Sequence, residues 1–513
     1  MTSQPHSAPL PPPGCPAHGT GPAPGAGPLP GSGPATAGPV REPMYGPDFA
    51  ADPSAVYARL RRSGPIAPVE LAPGVDAQLV LGFDAALHVL RSPETFSKDP
   101  RRWRALNEGI VPADSPVVPM MMHRPNCLFA DGEEHRRLRE AVSDSLDHVD
   151  PAALRGYVEQ SADTLIDRFA PTGEADLLGE YAQVLPLLVF NQLFGCPPDL
   201  GDKLVEGMSG IFDGVDAEAA NALLTQTTAE LVALKRRKPG PDVTSWLIAH
   251  QAGLNDEEMM HHIVVLMGAG TEPQQNLIAN GLRLLLADDR FSGSLSGGSL
   301  PVEDALDEVL WMDPPMANYG VHFAVRDTEY AGVPIRAGEP LVVSFAAANT
   351  DPSIASDQRA GNRAHLAWSA GPHSCPAQGP ARLIAAVAVE KLLDRLPDME
   401  LALPVDQLIW RPGPFHRALQ SLPVRFPATA VSSADGRPET ADAASATAAG
   451  APGVAGAADA SSGAPAPITS SAGVSGGGVP AARPSQGAQV PGPRGSGPRR
   501  MWSSLRAWWR GGE

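Results

Sequence analysis

The sequence predicts a mainly α domain with a minor β region, flanked by two segments too poor in apolar residues to fold. Three observations carry this. Apolar residues recur at helical spacing in 152–170, 175–195, 216–236, 256–286, 301–312 and 379–396. Strand-like runs are few and short. The 52 Gly and 56 Pro among 513 residues are unevenly spread.

Residues 1–42 form a Pro/Gly-rich arm, in which positions 1–40 hold 12 Pro and 8 Gly. Such a stretch buries too little apolar surface to offset the entropy of ordering it, so disorder is expected. Residues 43–427 form the domain. Its strand-like runs are Ala77–Leu81, Glu329–Ile335 and Pro340–Val343, and Gly332 with the Arg336-Ala337-Gly338 turn marks the last two as a small hairpin. In the last helical segment Val389, Leu392, Leu393 and Leu396 give the i, i+3, i+4, i+7 stripe of a core-facing helix. Residues 428–498 are an Ala/Gly/Ser/Pro linker without an aromatic residue, again expected to be disordered.

Residues 499–513 differ. Trp502, Leu505 and Trp509 fall at i, i+3, i+7, while Arg499, Arg506 and Arg510 cluster elsewhere on a helical wheel. One reading is an amphipathic helix that docks on an anionic membrane surface or a protein partner. The other is a helix that packs back on its own acidic body, or a tail that stays disordered.

Composition excludes several classes. Apolar runs such as Val184–Phe190 and Ile263–Met267 are too short to span a bilayer. No basic stretch followed by an apolar one marks a signal peptide. Cys15, Cys127, Cys196 and Cys375 show neither a disulfide framework nor a zinc pattern, which fits a reducing cytoplasm. The net charge of −18 argues against nucleic acid as a partner.

The stretch Trp368–Leu383, WSAGPHSCPAQGPARL, carries the chemistry. Cys375 lies between Gly/Pro turns just before an expected helix start. There the helix dipole and free N–H groups favour its thiolate, as a haem iron ligand requires. A buried inert cysteine is the other reading. The stretch resembles the haem-binding loop of cytochromes P450, F-G-x-G-x-H-x-C-x-G. Trp368 stands at the Phe, Ser369 at the first Gly, then Gly371, His373 and Cys375, with Ala377 at the last Gly and Ala381-Arg382 after it. The resemblance implies that Cys375 is the axial thiolate of haem b and that His373 contacts a propionate.

Other segments resemble the family in its order. Ala130–Ala141, ADGEEHRRLREA, is similar to its C helix, and His135 and Arg139 share a face at i, i+4. The resemblance implies that both bind a propionate, and that Arg136 and Arg137 lie where an acidic ferredoxin docks. Asp327–Ser344 resembles the hairpin after the K helix. There the family's propionate-binding Arg is His322, a shorter donor.

Two departures bear on activity. The family's K helix carries E-x-x-R, and Glu308 is followed by Trp311 in place of Arg, as in certain actinobacterial P450s. A buried carboxylate needs a partner, so Arg359 or Arg363 is expected at Glu308. The family's I helix reads A-G-x-[DE]-T-T, against Ala269-Gly270-Thr271-Glu272-Pro273-Gln274. In the family Ala269 and Gly270 would border the haem, and Glu272 would relay protons with the alcohol that Pro273 lacks. Proline also frees the Ala269 carbonyl, so a kink is expected. Thr271 and Gln274 are the nearby substitutes, although Thr271 lies about 200° round from position 273. Glu272 is either a proton donor or a helix-surface acid. Met120, Met121 and Met122 either line an adaptable pocket or pack beneath their loop.

The resemblance thus implies a cytoplasmic haem-thiolate monooxygenase, peripheral at a membrane if its tail docks there. Ferredoxin and ferredoxin reductase would supply its electrons, and an apolar small molecule would be its substrate. Turnover is expected to be poorly coupled or peroxide-driven. The alternative is a haem-binding regulatory or scaffold protein of P450 fold with little turnover.

Overall fold

Asn255 starts the longest helix, Asp256–Ala287: its side chain accepts from the Glu258 N–H while Glu258 reaches back to the Asn255 N–H. Three acids in the first turn complement the helix dipole. Thirty-two residues at 1.5 Å each reach about 48 Å, enough to cross the molecule. Pro273, at which a kink was expected, sits within this helix without ending it. The computed structural model describes residues 41–429 apart from 113, 214–216, 289–301 and 355–360. Most of the N-terminal arm, nearly all of the linker and the whole 499–513 tail lie outside the described residues.

Helices Pro151–Phe169, Val184–Leu193, Val302–Met312 and Gln378–Arg395 pack with the second half of Asp256–Ala287 into one apolar core. Ile384 to Val389 is buried on every side, which marks Gln378–Arg395 as a central helix. A second cluster joins helix Gly132–Asp147 to the first half of the long helix. Among the described residues no helix is long and apolar enough to cross a membrane.

The minor β region is larger than the sequence reading had it. A six-stranded sheet contains β1 (Glu42–Pro43), β2 (Ile66–Ala72), β3 (Val75–Val80), β4 (Phe96–Ser97), β6 (Gly320–Ala324) and β9 (Pro340–Val343). Their order is β1-β2-β3-β9-β6-β4. The expected hairpin is corrected: Pro340–Val343 pairs with β3 and β6, and the hairpin is formed by Thr328–Tyr330 with Val333–Ile335. Ala331 and Gly332 both take positive φ there, 50° and 79°, as the tightest hairpin turns require.

The helix expected over 175–195 is also corrected. It opens as a strand, Glu174–Asp176, paired with Pro423–Arg425, and becomes α-helical at Val184. The Asp176 carboxylate accepts from the N–H groups of Leu178 and Leu422, fixing that exit to the end of the domain. No local periodicity reports a partner 250 residues away.

Candidate functional site

The Cys375 loop is shaped by its own backbone. The Cys375 N–H donates to the Trp368 carbonyl at 2.8 Å, and the Ser369 N–H to that of Leu366 at 2.7 Å. Ser369 and Gly371 hold positive φ, 61° and 70°. Gly371 is obligatory, since a Cβ there would lie 2.2 Å from the Leu90 carbonyl oxygen. The Ala377 N–H donates to the Cys375 sulfur at 3.4 Å. Helix Gln378–Arg395 begins three residues beyond the cysteine, so its dipole acts on the thiol from a distance. Burial lifts the free thiol above its ordinary value, against the pull of the Ala377 N–H and the Arg139 charge.

A buried basic cluster lies beside this loop. His135 and His373 meet with ring centroids 4.0 Å apart, and Asp131 is 3.9 Å from His373. The Asp131 carboxylate also takes the Ser97 hydroxyl and, at 3.1 Å, the Lys98 N–H. Lys98 is buried and donates from Nζ to the Val321 carbonyl at 2.8 Å. Burial pulls its ammonium down to about 8. His322 hydrogen-bonds the Gly320 carbonyl at 2.9 Å through Nδ1, and burial beside Lys98 pushes it down to about 3. Burial, then the charge of Lys98, also lowers His373. The structure therefore brings His135, His322 and His373 together and adds Lys98, which the sequence reading missed. Its only signal is a lysine directly after the short buried strand Phe96–Ser97.

Arg139, expected at a propionate, lies beside His135 and His373. Its guanidinium donates to the carbonyl oxygens of Pro372 and Ser374 and to Ser143, bracing the cysteine loop from helix Gly132–Asp147.

Along the long helix the expected residues separate. Ala269 is exposed in mid-helix. Gly270 instead faces the Phe190 ring, which a Cβ would approach to 2.4 Å. Thr271 is fully buried and donates to the Met267 carbonyl at 2.7 Å, so its hydroxyl proton is committed. Gln274 is tied to the Ala381 carbonyl at 3.1 Å. Glu272 is buried and accepts from Arg411, from Gln275 at 2.9 Å and from Asn276 at 3.3 Å. Burial keeps His416, which feels the charges of Glu272 and Arg411, at about 4.

Arg359 and Arg363 were the two arginines expected near Glu308. Arg363 binds Asp307 at 3.0 Å and Glu303 at 2.8 Å, and Arg359 lies outside the described residues. Of the three methionines, Met121 is core, Met120 packs half-buried against the same cluster and Met122 is 41% exposed.

Comparison with known proteins decides the family. The chain is 33% identical over 395 residues to the cytochrome P450 monooxygenase PikC of Streptomyces venezuelae, covering 74% of this chain and 92% of that one. It is 31% identical over 401 residues to 2-hydroxy-5-methyl-1-naphthoate 7-hydroxylase of Streptomyces carzinostaticus, covering 75% and 97%. The chain belongs to the cytochrome P450 family. The solved structure of CYP154A1 from Streptomyces coelicolor superposes with a TM-score of 0.66 at 30% identity, over 75% of this P450 and all of the other. No protein-family model matches the sequence. As a cytochrome P450 the enzyme is a monooxygenase, and its cofactor is haem b.

The residues present fit that cofactor. His135 Nε2 is buried without a partner among the described residues, in a cluster with Lys98, His322 and His373. Such a surplus of donors suits the two carboxylates of haem.

Proposed function

We propose that this P450 inserts oxygen into an apolar small molecule with electrons from a ferredoxin and its reductase, and that Cys375 is its iron ligand. The observation that carries the reading is the Cys375 sulfur with the Ala377 N–H upon it, beside the basic cluster. When bound, haem b supplies the redox chemistry by which one atom of dioxygen enters the substrate while the other leaves as water. Two electrons and two protons balance that reaction.

The chain's own residues set the conditions. His135, His322, His373 and Lys98 would hold the propionates. Arg139 fixes the carbonyls on either side of His373, and through them the loop that aims the thiolate. Ala269, small and exposed, would border the haem. Proton delivery is the weak part: Pro273 offers no hydroxyl, Thr271 is committed to Met267, and Glu272 is held by Arg411. Poorly coupled or peroxide-driven turnover follows. The same three observations favour a second reading, a haem-binding regulatory protein with little turnover. The tail 499–513 would dock the enzyme on an anionic membrane surface or a protein partner.

Reduction with dithionite under carbon monoxide tests the ligand. A strongly red-shifted Soret band is expected, and a blue-shifted one removes Cys375 from the role. Turnover with NAD(P)H and a ferredoxin pair then separates the readings. Product formed beside excess peroxide supports the oxygenase. Product matching NAD(P)H overturns the poor coupling, and no product on any apolar substrate favours regulation.

A further inference from the structure

Trp311 stands where the family has an arginine, yet the helix that carries it still grips the cysteine loop. The grip is at Asp307. This carboxylate is 9% exposed and accepts from Arg382 at one oxygen and from Arg363 Nε, at 3.0 Å, at the other. Arg382 lies on the helix that leaves Cys375, and Arg363 on the segment that leads to it. Glu303, one turn before Asp307 on the same face, takes Arg363 at 2.8 Å and Arg382 at 3.7 Å. Two acids and two guanidinium groups thus close a balanced square.

Neutral contacts extend the grip. The Trp311 indole N–H donates to the Asn362 carbonyl at 2.7 Å. Asn349 donates to the Leu310 carbonyl at 3.0 Å and accepts the Leu366 N–H at 2.7 Å. Both sides of the cysteine loop are therefore fastened to helix Val302–Met312.

We propose that Asp307, Arg363 and Arg382 form the latch that positions the Cys375 loop in this chain, in place of the arginine that Trp311 has displaced. They are positioning residues. A charge-assisted pair fixes direction as well as distance, and a carboxylate stripped of its arginines is costly to bury. Losing the latch lets the loop drift, and a ligand that drifts holds its metal less well.

The test measures haem release from the full-length holoprotein to excess apomyoglobin, together with the ferrous–CO spectrum. D307N and R382Q are each expected to speed release by about tenfold or more and to convert part of the red-shifted band to the blue-shifted one. The double variant is expected to be no worse than either single, because the partners act as one. R382K, keeping the charge without the fork, should recover part of the loss, and it remains informative if R382Q folds poorly. D163N removes an ion pair of Arg395 at the far end of the same helix and should leave release within about twofold. Wild-type release and spectrum in D307N overturn the latch, as do single effects that add in the double variant. A wild-type protein without the red-shifted band overturns the Cys375 assignment itself.

Discussion

Arg411 donates to the buried carboxylate of Glu272, so the acid at the centre of the long helix is held by the segment that follows Glu400–Leu401. The arginine side chain is 39% exposed and the acid only 5%, so the pair is screened from one side alone. R411M leaves the carboxylate to Gln275 and Asn276 and should cost about 1–2 kcal/mol, reduced from the fully buried case by that exposure. E272Q keeps an acceptor and frees Arg411 to water, so its cost should stay below about 1 kcal/mol. Urea midpoints compare the two. A costlier E272Q would mean that the carboxylate has a weightier task than anchoring Arg411.

Replacing Pro273 with threonine restores both a hydroxyl and a backbone N–H for the Ala269 carbonyl. P273T should raise product formed per NAD(P)H consumed several-fold, a change of about 1 kcal/mol in the partition between product and peroxide. Parallel assays of product, NAD(P)H and peroxide check it. An unchanged ratio would place the proton defect elsewhere, with Glu272 and Arg411 the next suspects.

His365 gives the cofactor-free fold an acid sensitivity. It packs edge-on against Trp311 at 5.6 Å, and both ring nitrogens are buried without partners among the described residues. Burial pushes its pKa from 6.5 to about 4. The folded state therefore binds fewer protons than the unfolded one between those values. Its contribution is fully present above pH 6.5 and is lost as pH falls towards 4, at most about 3 kcal/mol. Urea unfolding at pH 7.5 and pH 5 should show a smaller drop in H365F than in the wild type.

Lys98 is buried and spends its Nζ on the Val321 carbonyl. A buried ammonium is tolerated where a carboxylate will meet it. K98M should speed haem release by about tenfold while leaving the cofactor-free protein as stable or more so. Equal loss of stability and haem would mark Lys98 as a fold residue only.

Helices were legible because their apolar stripes are local: 151–169, 217–237, 302–312 and 378–395 fall within a residue or so of expectation. The strand at Ile66–Ala72 was not, because Pro68 within it speaks against a strand, although it pairs with the adjacent Val75–Val80. Cys375, His373, His135 and His322 were legible as candidates through the resemblance of their segments to the family's motifs. Lys98, Arg411 and Asp307 were not. Each acts across a long sequence separation that no local pattern reports, and Asp307 was overshadowed by its neighbour Glu308. The back-bond of Thr271 to Met267 was visible only in the fold.

The cysteine loop carries one departure that works against stability. Ser369 holds φ 61° where the family has glycine, and an L-residue pays for its Cβ in that region. S369G should stabilise the protein by about 0.5–1 kcal/mol, the strain relieved less the extra freedom of glycine in the unfolded chain. Gly371, two residues on, cannot be exchanged the other way. G371A would set a methyl against the Leu90 carbonyl oxygen at positive φ, and backbone on helix Phe83–Arg91 cannot give as a side chain does. A loss of at least about 2 kcal/mol is expected, with haem occupancy falling in step. Thermal midpoints and haem-to-protein absorbance ratios of the two variants read both effects. Opposite signs at 369 and 371 would show that the loop is strained at the first position and close-packed at the second, and like signs would refute that division.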